Sequence, residues 1–227
     1  MNREGNAYTF LFATIMVVIV ATALTFAATA LKPLQEANIK KEKMQYILRS
    51  FGMDVSRDES PDAYKTYIKD ELVLDNNGKE IGKEGFEVNL AKDKGKHPVF
   101  IAEKDGQKYC ILPVRGMGLW DVIWGYVAID QNLTVKGIIF DHKGETPGLG
   151  AEITQKYFQE RFVGENIFAQ DNTYQGLTIV KGYAGGAEKT DGKVDAISGS
   201  TLTCNGVTNM LMTGLKPYEN YLKTFKK

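Results

Sequence analysis

Between Ala7 and Leu31 the chain runs for 25 residues without a single charge, AYTFLFATIMVVIVATALTFAATAL. As a helix rising about 1.5 Å per residue, this stretch is roughly 37 Å long, enough to cross the ~30 Å hydrocarbon core of a bilayer with some tilt. A cleaved signal peptide is the rival reading, because Arg3 gives a basic start and Ala28-Thr29-Ala30 looks like a cleavage site. The apolar run is far longer than the roughly 7–15 residues of a signal-peptide core, so the segment reads as an uncleaved anchor over residues 1–33. The 196 residues after Leu31 are strongly polar on average. One span and one soluble domain follow.

Composition narrows the soluble part. With 28 Lys+Arg against 28 Asp+Glu, the chain lacks the basic excess of a nucleic-acid binder, and no nucleic-acid partner is expected. Two cysteines, Cys110 and Cys204, are too few for a disulfide framework or a four-thiolate metal site. Two histidines, His97 and His142, argue against a His/Cys metal centre as well. Charged residues make up 25% and aromatics 11%, which excludes a disordered or collagen-like chain. Lys32, Lys40, Lys41 and Lys43 follow the span, whereas Arg3 and the amino terminus precede it. By the positive-inside rule, that asymmetry puts the soluble domain in the cytoplasm.

After Pro33, the spacing of Leu34, Ala37, Met44, Ile47, Leu48 and Phe51 predicts an amphipathic helix continuing out of the membrane. Ser60-Pro61-Asp62 reads as a second helix start, with Tyr64, Tyr67, Ile68 and Leu72 along one side. Residues 34–97 are thus expected to form a membrane-proximal helical segment. From Pro98 the pattern becomes β: PVFIAE, a Lys104-Asp105-Gly106 turn and KYCILPV form a hairpin, followed by DVIWGYVAID, a Gln131-Asn132 turn and LTVKGIIFD. A helix is expected over Ile153–Phe162, a strand over Leu177–Val180, and a final helix from near Thr203. The fold class is α+β: one transmembrane helix, then an antiparallel sheet flanked by helices, with the functional core in 98–227.

Three clusters are candidates for chemistry. In Asp195-Ala196-Ile197-Ser198-Gly199-Ser200-Thr201-Leu202-Thr203, small residues precede Thr201 and let a ligand approach the backbone closely. Hydroxyls crowd a helix start, where free N–H groups and the helix dipole favour phosphate. The same residues also suit a plain Ser-Gly turn with Thr203 as helix cap. Upstream, His142-Lys143-Gly144-Glu145-Thr146-Pro147-Gly148-Leu149-Gly150 forms a sharp exposed turn, suited either to holding a planar ring or to connecting a strand to a helix. It is neither a Walker A loop nor a G-x-G-x-x-G fingerprint. In Gly116-Met117-Gly118-Leu119-Trp120, with Trp124 and Tyr126 behind, the aromatics are expected to pack the sheet. His142 reads as a structural histidine, and Cys204 as a passive small residue.

Taken in order, the single N-terminal span, G-M-G-L-W, H-x-x-E-T-P-G-L-G and D-x-x-S-G-S-T-x-T resemble the C subunits of sodium-pumping NADH:quinone oxidoreductases over nearly the whole chain. The wider FMN-binding domain family and the G subunits of Rnf complexes are less similar. In that family the attachment motif usually reads S-G-A-T, and Ser200 stands here in place of the alanine. The H-to-E spacing is one residue longer, which weighs against a role for His142.

The resemblance implies an α+β domain carrying FMN as a phosphoester on Thr201, installed from FAD by a separate Mg-dependent flavin transferase. Ser198, Gly199, Ser200 and Thr203 would shape the phosphate end, and Asp195 would belong to the motif that the transferase reads. Glu145, Thr146, Gly148 and Leu149 would line the ring, and Lys181 would favour the reduced anionic flavin. The protein would be a subunit of an enzyme complex without a complete active site of its own. It would relay electrons among the other subunits, B, D and E most directly, in the bacterial inner membrane. Because the family's transferase works outside the cytoplasm, the resemblance places the domain on the periplasmic or outer face. That overrides the lysine count, since the charge rule is a bias that partner helices overcome. An Rnf-type subunit and a membrane-anchored scaffold without flavin are the alternatives.

Overall fold

A computed structural model describes residues 5–183 and 189–226. Arg3, used in the charge argument, lies outside the described residues. The chain divides into two units, Met1–Glu42 and Lys43–Lys227.

The first unit is the greater part of helix α1 (Asn6–Ser50), which runs unbroken past Pro33. Phe10, Val17, Leu24 and Phe26 among many others stand uncovered around it. A helix that is apolar all round suits lipid rather than water. The Thr14, Thr25 and Thr29 hydroxyls donate to carbonyls four residues back at 2.8 Å, so these three polar groups are satisfied within the helix. By length and composition this helix can cross a membrane.

The second unit opens with the last turns of α1 and continues through α2 (Ser60–Tyr67), β1 (Ile68–Leu74), β2 (Glu80–Gly82), β3 (His97–Lys104), β4 (Gln107–Met117), β5 (Val122–Asp130) and β6 (Val135–His142). Then come α3 (Lys156–Gln159), β7 (Thr178–Val180), β8 (Lys193–Asp195), α4 (Thr201–Leu215) and α5 (Glu219–Phe225). Six strands form one antiparallel sheet in the order β2-β1-β3-β4-β5-β6, and β7 pairs with β8 in parallel.

Both faces of the large sheet are covered, and the period of two along each strand sorts side chains between them. Cys110, Leu112 and Val114 of β4 join Ile123, Val127 and Ile129 of β5 in the main core, together with Val207, Met210 and Leu211 of α4. Ile111, Tyr126 and Ala128 point to the opposite face, under Ile47, Leu48, Phe51 and Tyr64. There Lys43 is half-buried: it donates to the Phe86 carbonyl and lies over the Phe86 ring. Burial lowers its pKa. Tyr218, fully buried, donates to the carbonyls of Pro98 at 3.1 Å and Pro113 at 3.3 Å. It thereby ties the end of α4 to β3 and β4.

Several expected elements differ. The helix anticipated through Leu72 stops at Tyr67, and residues 68–74 form β1, because Leu72, Val73 and Leu74 are all buried beside β3. The stretch 34–97 therefore supplies two strands of the sheet as well as helix. The helix expected over Ile153–Phe162 is broken at Gln155, whose backbone is extended (φ −78°, ψ 140°). Short turns on either side let Ile153, Phe158 and Phe162 all reach full burial. Trp124 and Tyr126 pack against the sheet as expected. Trp120 does not: it is 68% exposed.

Candidate functional site

One end of the sheet carries a cleft lined by Leu119, Glu145, Thr146, Leu149, Gly150, Gly199, Ser200, Thr201, Leu202 and Thr203. Three separate segments meet there: the turn between β4 and β5, the loop after β6, and the start of α4. The cleft measures about 130 Å³, short of the ~300–1,000 Å³ of pockets that enclose a drug-sized ligand. A multi-ring ligand would therefore lie mostly across its mouth. Leu119, Leu149 and Leu202 of the lining are substantially exposed, as are Met117 and Trp120, which lie within two residues of Leu119 in the chain. Concentrated apolar exposure of this kind marks a binding surface.

The start of α4 sets the polar end. Gly199 is held at φ +78°, a conformation that favours glycine. A Cβ on it would also press against Leu149. Ser200 precedes the helix, yet its side chain makes no capping bond. Its hydroxyl is buried and has no hydrogen-bond partner among the described residues, and the residue is 4% exposed. Buried polar groups are nearly always paired, so an orphan here is an unfilled donor–acceptor position. Thr201, the first residue of the helix, is exposed to solvent. The N–H groups of the first turn lack intrahelical acceptors and carry the positive end of the helix dipole.

Glu145 occupies the floor. It is 4% exposed. One carboxylate oxygen accepts the Trp120 N–H at 2.9 Å, and the other accepts the Thr203 hydroxyl at 2.6 Å. Burial by itself raises its pKa, but Thr203 and the Trp120, Asp121 and Leu119 backbone together hold the carboxyl below the usual range. A Cβ on Gly118 would overlap one carboxylate oxygen, and a Cβ on Gly150 would overlap the other together with the Thr203 hydroxyl. Both glycines are thus required by close approach. His142 Nδ1 accepts the Glu145 N–H at 3.1 Å, which makes His142 a brace of the loop.

The residues named from sequence are partly brought together. Glu145, Thr146, Leu149, Gly199, Ser200, Thr201 and Thr203 share the cleft. Gly148 supplies the turn at φ +73° without lining it. Ser198 is exposed in the preceding turn and does not line the cleft either. Lys181 is exposed on the turn after β7 and is likewise absent from the lining. Thr203, expected as a helix cap, lies inside α4 and points to Glu145, while Ser200 holds the cap position. Asp195 accepts the Tyr183 N–H at 3.1 Å. Arg161 donates to the Asp195 and Ala196 carbonyls at 2.8 and 3.0 Å, steadying the approach to the motif. Burial raises the Cys204 thiol, which accepts the Ile197 N–H at 3.4 Å. Sequence reasoning does not single out Leu119, Gly118 and Gly150 as site residues. Their only signal is the glycine spacing of G-M-G-L-W and P-G-L-G.

The model of the FMN-binding domain family matches residues 118–216, the stretch that supplies all three segments of the cleft. The C subunit of the Na(+)-translocating NADH-quinone reductase of Neisseria meningitidis is 32% identical, and the match covers 98% of this chain and 96% of that protein. The Chlamydia caviae protein of the same description is 42% identical over 52% of this chain. Across three chlamydial relatives the match spans only 40–52% of their length, about half of those longer proteins. The crystal structure of the corresponding C subunit from Parabacteroides distasonis superposes with a TM-score of 0.78 at 36% identity, covering 85% of this chain and 96% of that one. Shewanella oneidensis NqrC gives 0.65 at 27% identity, covering 82% and 98%.

Proposed function

Since the chain belongs to the family of Na(+)-translocating NADH-quinone reductase C subunits, we propose that it is a membrane-anchored flavoprotein subunit of such a complex, with FMN held as a phosphoester on Thr201. The observation that carries this reading is the contrast between two adjacent hydroxyls. Thr201 is exposed at the first position of α4, where a separate flavin transferase has access to it. Ser200 is buried beside it, its hydroxyl unpartnered among the described residues. Thr201 Oγ takes the flavin phosphoryl group from FAD, losing its proton as AMP leaves.

The residues present fit FMN. Its phosphate is an anion, suited to the open N–H groups and positive dipole end of α4. The Gly199 backbone allows close approach, and the Ser200 hydroxyl is an unfilled polar position nearby. Leu119, Leu149 and Leu202, with Trp120 beside them, offer the ring an apolar platform. Glu145 and Thr203 lie beneath, and Thr146 and Gly148 shape the loop. Bound FMN supplies one- and two-electron redox chemistry, for which the protein contributes position and electrostatics. A phosphoester link retains the group in every redox state, which suits a fixed relay between partner subunits, B, D and E most directly. Ser198 and Lys181 stand outside the lining.

Expression of the full chain with an active flavin transferase tests the reading. The expected product is a protein with the added mass of one FMN and a fluorescent band after denaturation. A colourless chain of unmodified mass would favour a scaffold without flavin. The soluble unit is assigned to the outer face of the bacterial inner membrane, because attachment takes place outside the cytoplasm in the family that it resembles. Protease added to intact spheroplasts is expected to degrade this unit, and protection would reverse the assignment.

A further inference from the structure

Glu145 is a buried carboxylate that no cation pairs with among the described residues. A buried anion is costly unless hydrogen bonds satisfy it. Here the donors come from two different segments: the Trp120 N–H at 2.9 Å, from the turn between β4 and β5, and the Thr203 hydroxyl at 2.6 Å, from α4. The Leu119 and Asp121 N–H groups reinforce the first. A third segment, the loop after β6, carries Glu145 itself and is braced by His142. Lys143, two residues before Glu145, and Asp121, next to Trp120, are engaged with each other at 3.1 Å. Gly118 and Gly150 sit directly on the two carboxylate oxygens, and Glu145 itself lines the cleft beside Thr203.

We propose that Glu145 is the positioning residue of the site, a fixed anion that clamps the three cleft segments together and biases an attached flavin against taking on negative charge. The second half rests on the flavin-carrier reading. The first half does not. Reduction of FMN to its anionic two-electron form takes up two electrons and one proton and leaves the ring with one added negative charge. A neighbouring carboxylate in a partly dry cleft disfavours that product.

Two substitutions in the full chain separate charge from clamp. Glu145→Gln removes the charge and keeps the shape. Thr203→Val removes one donor and keeps the charge. In flavin-loaded protein titrated with dithionite and mediators, Glu145→Gln is expected to raise the reduced-to-oxidised ratio at fixed potential about tenfold, or ~30 mV for a two-electron couple. Thr203→Val is expected to change that ratio less than threefold. Equal shifts in the two variants, or none in Glu145→Gln, would overturn the charge assignment.

The clamp is read without flavin, from thermal unfolding against pH. Because hydrogen bonds depress the folded-state pKa of Glu145, its stabilisation is complete above the ordinary carboxylate value and is lost as pH falls through the depressed one. That acid limb is expected to shrink in Glu145→Gln and to move to higher pH in Thr203→Val. An unchanged limb in Thr203→Val overturns the clamp, even if Glu145→Gln fails to fold or the chain carries no flavin.

Discussion

Thr201→Ala is expected to abolish covalent flavin completely, while Ser200→Ala retains it. Co-expression with a flavin transferase, followed by intact mass measurement and in-gel fluorescence after denaturation, reads both. The argument is one of access. Thr201 begins α4 with its side chain in solvent, so an enzyme can reach the hydroxyl without unfolding anything. Ser200 is one residue away but 4% exposed, with its hydroxyl sealed from solvent. Exposed substitutions of this kind usually stay within about 0.5 kcal/mol of wild type, so loss of flavin in Thr201→Ala is not expected to come from loss of fold. Thr201→Ser restores a hydroxyl at the same place and should recover attachment. Flavin on Thr201→Ala, or its loss from Ser200→Ala alone, would move the acceptor to Ser200.

The second large effect separates two glycines of one loop. Gly150→Ala is expected to destabilise the soluble unit by about 3–5 kcal/mol, the range for leaving a buried charge without its partners. An added Cβ at 150 would overlap both a Glu145 oxygen and the Thr203 hydroxyl. Neither can retreat while Thr203 stays in α4 and Glu145 keeps its bond to the Trp120 N–H. Gly148→Ala meets nothing within 4 Å. Its penalty comes only from the positive φ of +73°, about 1 kcal/mol. Chemical denaturation of the two variants measures the difference, and covalent loading should follow the same order. Similar losses would show that the carboxylate site yields readily, against the clamp described above.

Much of this arrangement is written in local pattern. A charge-free run of 25 residues has one stable form in lipid, since a helix alone satisfies its own backbone there. The hairpin around Asp105-Gly106 and the paired strands β5 and β6 follow from alternation and turn residues, both short-range signals. The S-G-S-T run marks the start of α4 for the same reason, because its glycine and its hydroxyls act on their own backbone. Where local preference competes with burial, the sequence alone misleads. Residues 68–74 continue a helical spacing, yet they become a strand because β3 offers backbone partners and Leu72, Val73 and Leu74 need cover. Ile153–Phe162 breaks at Gln155 so that three apolar side chains reach the core.

Trp120 sits in an aromatic-rich stretch that resembles core. Its exposure follows from the turn that directs its N–H to Glu145, a residue 25 positions away. The clasp from Glu145 to Thr203 joins residues 58 apart, and no spacing rule reaches that far. The sequence by itself determined the anchor and the central hairpins, and it set the small and hydroxyl residues around Thr201 at a helix start, because each depends on neighbours within one element. Only the tertiary structure decided that Glu145 lies under the site, that Ser200 is sealed while Thr201 is open, and that Lys181 and Ser198 stand outside the cleft. Those outcomes depend on which distant segments pack together, and that is a property of the closed fold.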